Sequence, residues 1–320
     1  MNWNPLSALY GGGVAARNTA YDRGWLRSRR LQGSVISVGN LSTGGSGKTP
    51  FVILLGELLK ARGISFDVFS RGYGRGTRGV RLVDPAGLPR DFGDEPLLIA
   101  RRLQVPVVVG EDRYEAGRFA ESRFGPRIHL LDDGFQHRGL ARDFDIVLVT
   151  PEDGRDRLLP VGRLREPLRA LRRADAVVLT SGASPDRFPL DGKTVWRVRR
   201  GIVTQNAAQN IPSRPVVFCG IARPQNFLLQ LRAAGVNPVA EAFFRDHHAY
   251  GEKDVRELLE LRRRSEADGF VTTEKDAVNM GGYFDALAPL AVVPVKMDLA
   301  DAAIVMGTML QAIEERRRGS

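Results

Sequence analysis

A glycine-rich run at residues 39–49 constrains the fold of this chain more than any other sequence feature. It reads Gly-Asn-Leu-Ser-Thr-Gly-Gly-Ser-Gly-Lys-Thr, follows the apolar run 34–39 and precedes the helical pattern 51–61. Glycines let the backbone curl until its N–H groups converge on phosphate oxygens, and the N-terminus of a following helix favours the same anion. The pattern predicts a nucleotide triphosphate site. A glycine-rich turn that binds nothing is the alternative.

The residues of this run that we expect to bind the nucleotide are Ser42, Thr43, Gly44, Gly45, Ser46, Gly47, Lys48 and Thr49. Lys48 would bridge the β- and γ-phosphates, and Thr49 would place its hydroxyl on Mg²⁺. The usual pattern begins with a glycine, and Ser42 stands at that position.

Apolar strand-like runs alternate with helical patterns along almost the whole chain. In the first half the runs lie at 34–39, 65–70, 105–109, 127–131, 144–150 and 174–180, with helical patterns at 51–61 and 96–103. In the second half they lie at 214–219, 236–243, 269–273 and 291–295, with helical patterns at 225–234 and 253–264. Strands that are apolar on both faces and separated by helices indicate a parallel sheet covered on both sides. The expected fold class is α/β: a P-loop NTPase-like α/β/α sandwich with a largely parallel sheet, plus a smaller second α/β lobe joined by a short strand linker.

These patterns divide the chain into four expected segments. They are a membrane-interfacial helical segment at 1–30, a P-loop core domain at 31–182, a linker at 183–213 and a smaller C-terminal α/β domain at 214–320. The linker is rich in Pro, Gly, Asp and Arg, and Val-bearing pieces at 194–198 and 201–204 suggest a short strand pair within it. Two joined lobes leave a cleft, where ligand sites tend to lie.

Composition excludes several classes of protein but does not select one. Cys219 is the single cysteine, which rules out a disulfide scaffold and a cysteine-based zinc site. The chain has 47 Lys and Arg against 37 Asp and Glu, a formal charge of +10. Such a balance suits nucleic acid, an anionic membrane or a phosphorylated substrate, and a general preference for surface arginine explains it equally well.

The N-terminal segment has an apolar, aromatic start followed by arginines. Trp3, Leu6, Leu9 and Tyr10 precede a group of basic residues that begins at Arg17. This order is typical of a helix that lies in a membrane interface, and a helix packed on the protein's own core is the alternative. No apolar run reaches the roughly 18 residues that a membrane span needs. We therefore expect a peripheral protein that can contact a membrane surface.

Two sites carry carboxylates where a strand ends or a helix begins. Asp132 and Asp133 end an apolar strand, at the edge of the sheet where P-loop proteins hold Mg²⁺. A tight Asp-Asp-Gly turn is the alternative. Asp94 and Glu95 precede Pro96 at a helix start, where capping needs only one carboxylate, so Asp94 is a candidate general base.

Two further loops carry charged residues with less specific signals. In the loop before Pro167, Arg165 could neutralise a phosphoryl group and Glu166 could reach a metal, with a surface ion pair as the alternative. The sequence Asp-His-His at 246–248 ends an apolar stretch of the second lobe, and a histidine paired with a carboxylate can tune a general base.

Taken together, these motifs resemble those of the tetraacyldisaccharide 4′-kinase family, the lipid A 4′-kinases, over nearly the whole chain. The resemblance rests on Asn-Pro-Leu-Ser at 4–7, the glycine-rich run, Ser-Arg-Gly-Tyr-Gly at 70–74 and Gly-Asp-Glu-Pro at 93–96. It continues with Asp-Asp-Gly-Phe-Gln-His at 132–137, Leu-Arg-Glu-Pro at 164–167, Phe-Arg-Asp-His-His at 244–248 and Thr-Glu-Lys-Asp at 273–276. The order and spacing of these motifs make the resemblance specific.

The resemblance implies transfer of the γ-phosphoryl group of ATP to the 4′-hydroxyl of tetraacyldisaccharide 1-phosphate, which gives lipid IVA. It implies a peripheral enzyme on the cytoplasmic face of the bacterial inner membrane, and we expect a monomer that does not bind nucleic acid. By the same resemblance Asp94 would be the base and His247 its partner. Lys48, Arg113 and Arg165 would stabilise phosphoryl charge, and Thr49, Asp132, Asp133 and Glu166 are the candidates for Mg²⁺.

Two other classes remain as alternatives. A membrane-associated P-loop switch of the Min or Par type also carries Gly-Gly-x-Gly-Lys-Thr, but it needs a signature lysine where this chain has Thr43. A nucleic-acid-binding ATPase would use the positive charge, yet the sequence has no aromatic and basic binding module.

Overall fold

The computed structural model describes residues 4–125, 127–202 and 211–319. The strands are β1 (Val35–Asn40), β2 (Phe66–Ser70), β3 (Arg81–Leu82), β4 (Val107–Val109), β5 (Ile128–Asp132), β6 (Phe144–Val149), β7 (Ala176–Leu179), β8 (Thr194–Ile202), β9 (Pro215–Cys219), β10 (Ala240–Phe243), β11 (Gly269–Thr273), β12 (Leu290–Val293) and β13 (Val295–Leu299). The helices are α1 (Pro5–Asp22), α2 (Lys48–Ala61), α3 (Pro89–Phe92), α4 (Asp94–Leu103), α5 (Arg113–Phe124), α6 (Pro224–Ala233), α7 (Glu252–Arg264), α8 (Glu274–Met280) and α9 (Ala302–Arg318).

The strands form two sheets, which define a large and a small lobe. The large sheet has nine strands in the order β13-β8-β7-β6-β1-β5-β2-β4-β3, and the small sheet has the order β10-β9-β11-β12. All pairings in the small sheet are parallel, and in the large sheet the two edge strands β3 and β13 pair antiparallel with their neighbours. The predicted largely parallel α/β architecture with a smaller second lobe is confirmed.

Apolar side chains cover both faces of the large sheet, and its central strands are buried along their length. On one face Phe51 of α2, Leu97 of α4 and Met306 of α9 pack in one cluster with Ile36 of β1. On the other face Ala116 of α5 packs with the inward side chains of β1, β2 and β5. Burial on both sides produces the three-layer sandwich expected from the sequence pattern.

The linker differs from the strand pair predicted within 183–213. The structure has one nine-residue strand, β8, which pairs in parallel with β7 and antiparallel with β13 and therefore belongs to the large sheet. The second predicted piece, at 201–204, ends at residues 203 and 204, which lie outside the described residues. A period-two pattern predicts a strand but not its neighbours, and the antiparallel partner of β8 lies almost a hundred residues later in the chain.

The last segment of the chain differs from the domain boundary predicted at 214–320. The single strand predicted at 291–295 is two strands, β12 and β13, separated by Pro294. Proline has no N–H to donate to a strand ladder, and the chain leaves β12, the edge strand of the small sheet, at this residue. Strand β13 then joins the large sheet and α9 packs on the large lobe, so the small lobe is an insertion between β8 and β13.

The N-terminal helix α1 has one face on the large lobe and one exposed face. Asn4 caps it by accepting hydrogen bonds from the N–H groups of Leu6 and Ser7 at 3.0 and 3.3 Å. Tyr10 donates to the carbonyl of Arg165 at 3.0 Å, whereas Leu6 and Leu9 are 60% and 76% exposed. Among the described residues, none of the helices has the length and apolar character to cross a membrane. The expected aromatic residue Trp3 lies outside the described residues.

Candidate active site

The phosphate-binding loop, residues 42–49, lies where β1 ends and α2 begins. Gly44 and Gly47 have φ angles of +90° and +86°, a region that side chains with a Cβ rarely adopt. A Cβ on Gly47 would lie 2.5 Å from Cε of Met297 in β13, and one on Gly45 would lie 3.1 Å from Cβ of Ala222 in the small lobe. The loop therefore needs glycine both for its conformation and for its close packing.

Lys48, Arg165 and Asp133 form an ion-pair network at this loop. Lys48 Nζ lies 3.5 Å from Asp133 Oδ1 and 3.2 Å from Asn40 Oδ1. Arg165 donates from Nη1 to Asp133 Oδ2 at 3.0 Å and from Nη2 to Asp133 Oδ1 at 2.8 Å. Burial alone would raise the pKa of the Asp133 carboxyl, but Lys48 and Arg165 outweigh it and hold the pKa well below its ordinary range. Two cations are thus held in place beside the loop.

Asp132 has the opposite electrostatic environment, although it is the next residue in the chain. Burial, together with the nearby carboxylates of Glu95 and Asp133, raises the pKa of Asp132 to about 7. Its Oδ2 accepts a weak hydrogen bond of 3.4 Å from Ser70, and its buried Oδ1 has no hydrogen-bond partner among the described residues. A buried carboxylate oxygen without a partner is costly unless a cation or proton reaches it.

A second group of side chains, the Asp94 cluster, consists of Asp94, Asp246, His247, Lys275 and Asn279. Asp94 begins α4 in the large lobe and is 5% exposed, and the other four residues belong to the small lobe. His247 Nδ1 lies 2.8 Å from Asp94 Oδ2, and Asn279 donates to the same oxygen at 3.1 Å. His247 has a φ of +58°, so the loop holds it in a backbone conformation that is strained for histidine.

The electrostatics of the Asp94 cluster favour a carboxylate anion. Burial would raise the pKa of Asp94, but the hydrogen bond from His247 and the charge of Lys275 lower it to about 2. The same contact with Asp94 raises the pKa of His247, with burial and Lys275 acting in the opposite direction. Asp94 and His247 were singled out from the sequence, and the structure brings them together from opposite lobes.

Two of the predicted site residues have local partners. Arg113 is buried at the start of α5, where Nη1 donates to the carbonyls of Gly110 and Glu111 at 3.3 and 2.9 Å. Glu166 accepts hydrogen bonds from Arg173 at 2.9 and 3.0 Å and from Asn18 of α1 at 2.7 Å. Both oxygens of Glu166 are therefore engaged away from the loop, and its role at a metal stays a prediction.

Sequence reasoning missed several residues that complete the site. The carboxylate of Glu95, next to Asp94 in α4, raises the pKa of both Asp132 and Lys275 and so acts on the loop region and on the Asp94 cluster. Lys275 and Asn279 lie on α8, directly after β11, within a motif whose position at a strand end was itself the available signal. Asn40 was quoted only as part of the glycine-rich run, yet its amide nitrogen donates to Ser46 Oγ at 2.8 Å.

Comparison with known proteins gives a consistent result. The family model described as tetraacyldisaccharide-1-P 4′-kinase matches residues 2–314. A tetraacyldisaccharide 4′-kinase of Koribacter versatilis is 52% identical over 322 residues, which cover 98% of this chain and 99% of that protein. The crystal structure of LpxK from Aquifex aeolicus in complex with ATP has a TM-score of 0.79 at 34% identity and covers 97% of each chain. The chain therefore belongs to the tetraacyldisaccharide 4′-kinase family.

Proposed function

We propose that this protein transfers the γ-phosphoryl group of ATP to the 4′-hydroxyl of tetraacyldisaccharide 1-phosphate, a step of lipid A biosynthesis. The observation that carries the proposal is the pairing of Asp94 with His247 across the two lobes, next to a phosphate-binding loop. Membership of the family and the ATP complex of the Aquifex aeolicus relative support the same reaction.

The residues at the loop bind and neutralise the phosphates. Backbone N–H groups of residues 42–49 would hold the β- and γ-phosphates, with Lys48 and Arg165 placed by Asp133 to balance the charge of the transferring group. Since these cations are already fixed by ion pairs, little reorganisation accompanies the reaction. Arg113, which is buried close to Asp132 and Asp133, would add a further positive charge.

Asp94 would accept the proton of the acceptor hydroxyl. As the oxygen forms its bond to the γ-phosphorus, the bond from that phosphorus to ADP breaks and the hydroxyl proton passes to Asp94. Asp94 has a pKa of about 2 and is a weak base, so the proton leaves together with bond formation and not before it. His247 holds the carboxylate in place through the 2.8 Å hydrogen bond.

Asp132 and Thr49 fit the expected role of magnesium ligands. The buried Oδ1 of Asp132 has no hydrogen-bond partner among the described residues, and Thr49 lies in the first turn of α2. In the described ranges no group of three or more His, Cys, Asp or Glu is arranged to hold a metal by itself. Mg²⁺ commonly binds through one or two protein oxygens plus substrate phosphates, where it neutralises phosphate charge.

The exposed face of α1 supports contact with a membrane, where a lipid substrate resides. Leu6 and Leu9 are exposed, and after the helix Trp25 is 70% exposed with the guanidinium of Arg23 5.2 Å from its ring centroid. Apolar side chains beside arginines suit the interface of an anionic bilayer. We place the protein on the cytoplasmic face of the inner membrane as a monomer. Flotation with anionic vesicles tests this, and equal flotation of wild type and the Leu6→Glu, Leu9→Glu double variant would exclude α1 as the contact.

The reaction is tested by transfer of γ-³²P from Mg-ATP to tetraacyldisaccharide 1-phosphate in detergent micelles, with a control that lacks lipid. Label in the lipid, lost in Asp94→Ala, is the expected result. ATP hydrolysis without lipid labelling, with a substrate that a known relative phosphorylates in parallel, would instead favour a switch ATPase.

A further inference from the structure

Lys275 occupies a central position in the Asp94 cluster. Its side chain is only 17% exposed at the start of α8. Its Nζ donates to Asp246 Oδ1 at 2.8 Å, lies 3.3 Å from His247 Nε2 and is 3.7 Å from Asp94 Oδ2. The ammonium group therefore lies next to both His247 and the carboxylate of Asp94.

These contacts determine where His247 carries its proton. A lysine ammonium has three donors and no acceptor, so a ring nitrogen that faces it at 3.3 Å must offer a lone pair. The ring proton then resides on Nδ1, which donates to Asp94 Oδ2 at 2.8 Å. A carboxylate oxygen that could accept a proton from Nε2, Asp246 Oδ2, is 3.8 Å away, which is too long for a hydrogen bond.

We infer that Lys275 is a positioning residue that opposes protonation of His247 on Nε2 and so holds the ring proton on Nδ1, where a neutral imidazole can donate to Asp94 and orient it. An imidazolium at His247 would stabilise the Asp94 anion further and make it a poorer proton acceptor. Lys275 opposes that state because a second positive charge at 3.3 Å from Nε2 disfavours protonation there.

The groups that face His247 come from four segments and have opposite effects on protonation of its imidazole. Asp94 of α4 and Asp246 of the same loop are negative, whereas Lys275 of α8 is positive. The ring of Tyr73, after β2, has its centroid 5.5 Å from that of His247. Lys275 is thus the one cation among the described residues that contacts the imidazole.

The first test measures the tautomer directly and does not depend on the proposed reaction. The full protein, labelled with ¹⁵N-histidine and assigned with His247→Gln, is examined by NMR at pH 8. We expect His247 to show a protonated Nδ1 and an unprotonated Nε2. A proton on Nε2, or on both nitrogens at that pH, would overturn the inference even if lipid phosphorylation were demonstrated.

The second test uses the pH profile of the kinase reaction and so rests on the proposed function. In Lys275→Met the midpoint of the acid limb of kcat/KM is expected to rise by about one pH unit, because His247 becomes easier to protonate. Lys275→Arg keeps the charge and should keep the midpoint within a few tenths of a unit. An unchanged midpoint in Lys275→Met, in a variant whose thermal melting shows a folded protein, would overturn the inference.

Two matched variants separate charge from packing. Asn279→Ala removes a neutral hydrogen bond to Asp94 from the same helix and should leave the midpoint in place. Lys253→Met removes an exposed lysine of α7 and controls for net charge. If Asn279→Ala moved the midpoint as far as Lys275→Met, the role of Lys275 would be structural and the inference wrong. A wild-type enzyme that phosphorylates no lipid would count against the reaction and leave the tautomer measurement intact.

Discussion

The phosphate-binding loop and the Asp94 cluster lie in the same region of the molecule but are built in different ways. The loop is continuous in sequence. Within the large lobe, ion pairs join Lys48 and Arg165 to Asp133 after β5, and backbone hydrogen bonds join residues 41–43 to the 163–165 segment. The Asp94 cluster joins Asp94 to residues more than 150 positions later, in the other lobe. Nucleotide binding therefore depends mainly on one lobe, whereas the proposed proton transfer depends on both.

The two regions also differ in how they handle buried charge. At the loop, adjacent aspartates have opposite pKa shifts, because Asp133 is paired with two cations and Asp132 is near carboxylates. In the Asp94 cluster a single buried carboxylate has three donors or cations around it. Variants that affect one region and not the other test this separation.

Removal of the proposed base should have the largest effect. Asp94→Ala is expected to lower kcat by about 10²–10⁴-fold, as is usual for a lost general base, while the Kd for ATP stays within about twofold. Single-turnover kinetics and equilibrium ATP binding provide the measurements. Asp91→Ala, which removes an exposed carboxylate just before α4, is the matched control. A large loss of ATP affinity in Asp94→Ala would mean that the two regions are not separable.

Lys48→Met should have the next largest effect and should alter phosphate handling itself. We expect kcat/KM for ATP to fall by about 10²–10³-fold, because a preorganised charge on the phosphates is lost. The control is Lys60→Met at the other end of α2, where Nζ donates to the carbonyl of Leu103. Near-normal kcat/KM in Lys48→Met would refute the assignment of the loop.

The pH dependence of stability should report the cationic surroundings of His137, four residues after Asp133. Burial, with Arg113 and Arg142, lowers the pKa of His137 to about 4. Between about pH 6.5 and 4 the unfolded chain binds this proton and the folded chain does not, so stability falls as pH falls. We expect a loss on the order of 1–2 kcal/mol that His137→Gln removes, measured by urea unfolding at several pH values. An identical pH slope in the variant would contradict this.

The smallest effect is expected where the lobes meet behind the site. Arg102 of α4 lies 2.6 Å from Glu274 of α8 and 3.3 Å from Glu57 of α2. Arg102→Gln should lower the free energy of unfolding by less than about 1 kcal/mol, as is usual for partly exposed ion pairs. It should lower kcat a few-fold through the Asp94 cluster without changing ATP affinity. A variant with altered ATP affinity and normal kcat would show that this contact supports the phosphate-binding loop and not the Asp94 cluster.

The same contrast explains which features could be predicted from the sequence. The loop, Asp132 and Asp133 follow from local patterns, since a strand end and a helix start fix their position. The pairing of Asp94 with His247 depends on how the two lobes pack against each other, and this packing cannot be predicted from local residue spacing. The division of 291–295 into β12 and β13 does not follow from the apolar run, in which Pro294 is the available signal because proline is confined to strand edges and interruptions.

The packing of Met297 against Gly47 has a consequence for how the protein is made. Chains emerge from the ribosome N-terminus first, and early segments can fold before later ones exist. The segment that contains the phosphate-binding loop emerges long before β13, which supplies Met297 and the antiparallel neighbour of β8. A nascent chain therefore carries an incomplete nucleotide site throughout the synthesis of the small lobe. Met297 can pack against the loop only after almost the whole chain has been translated.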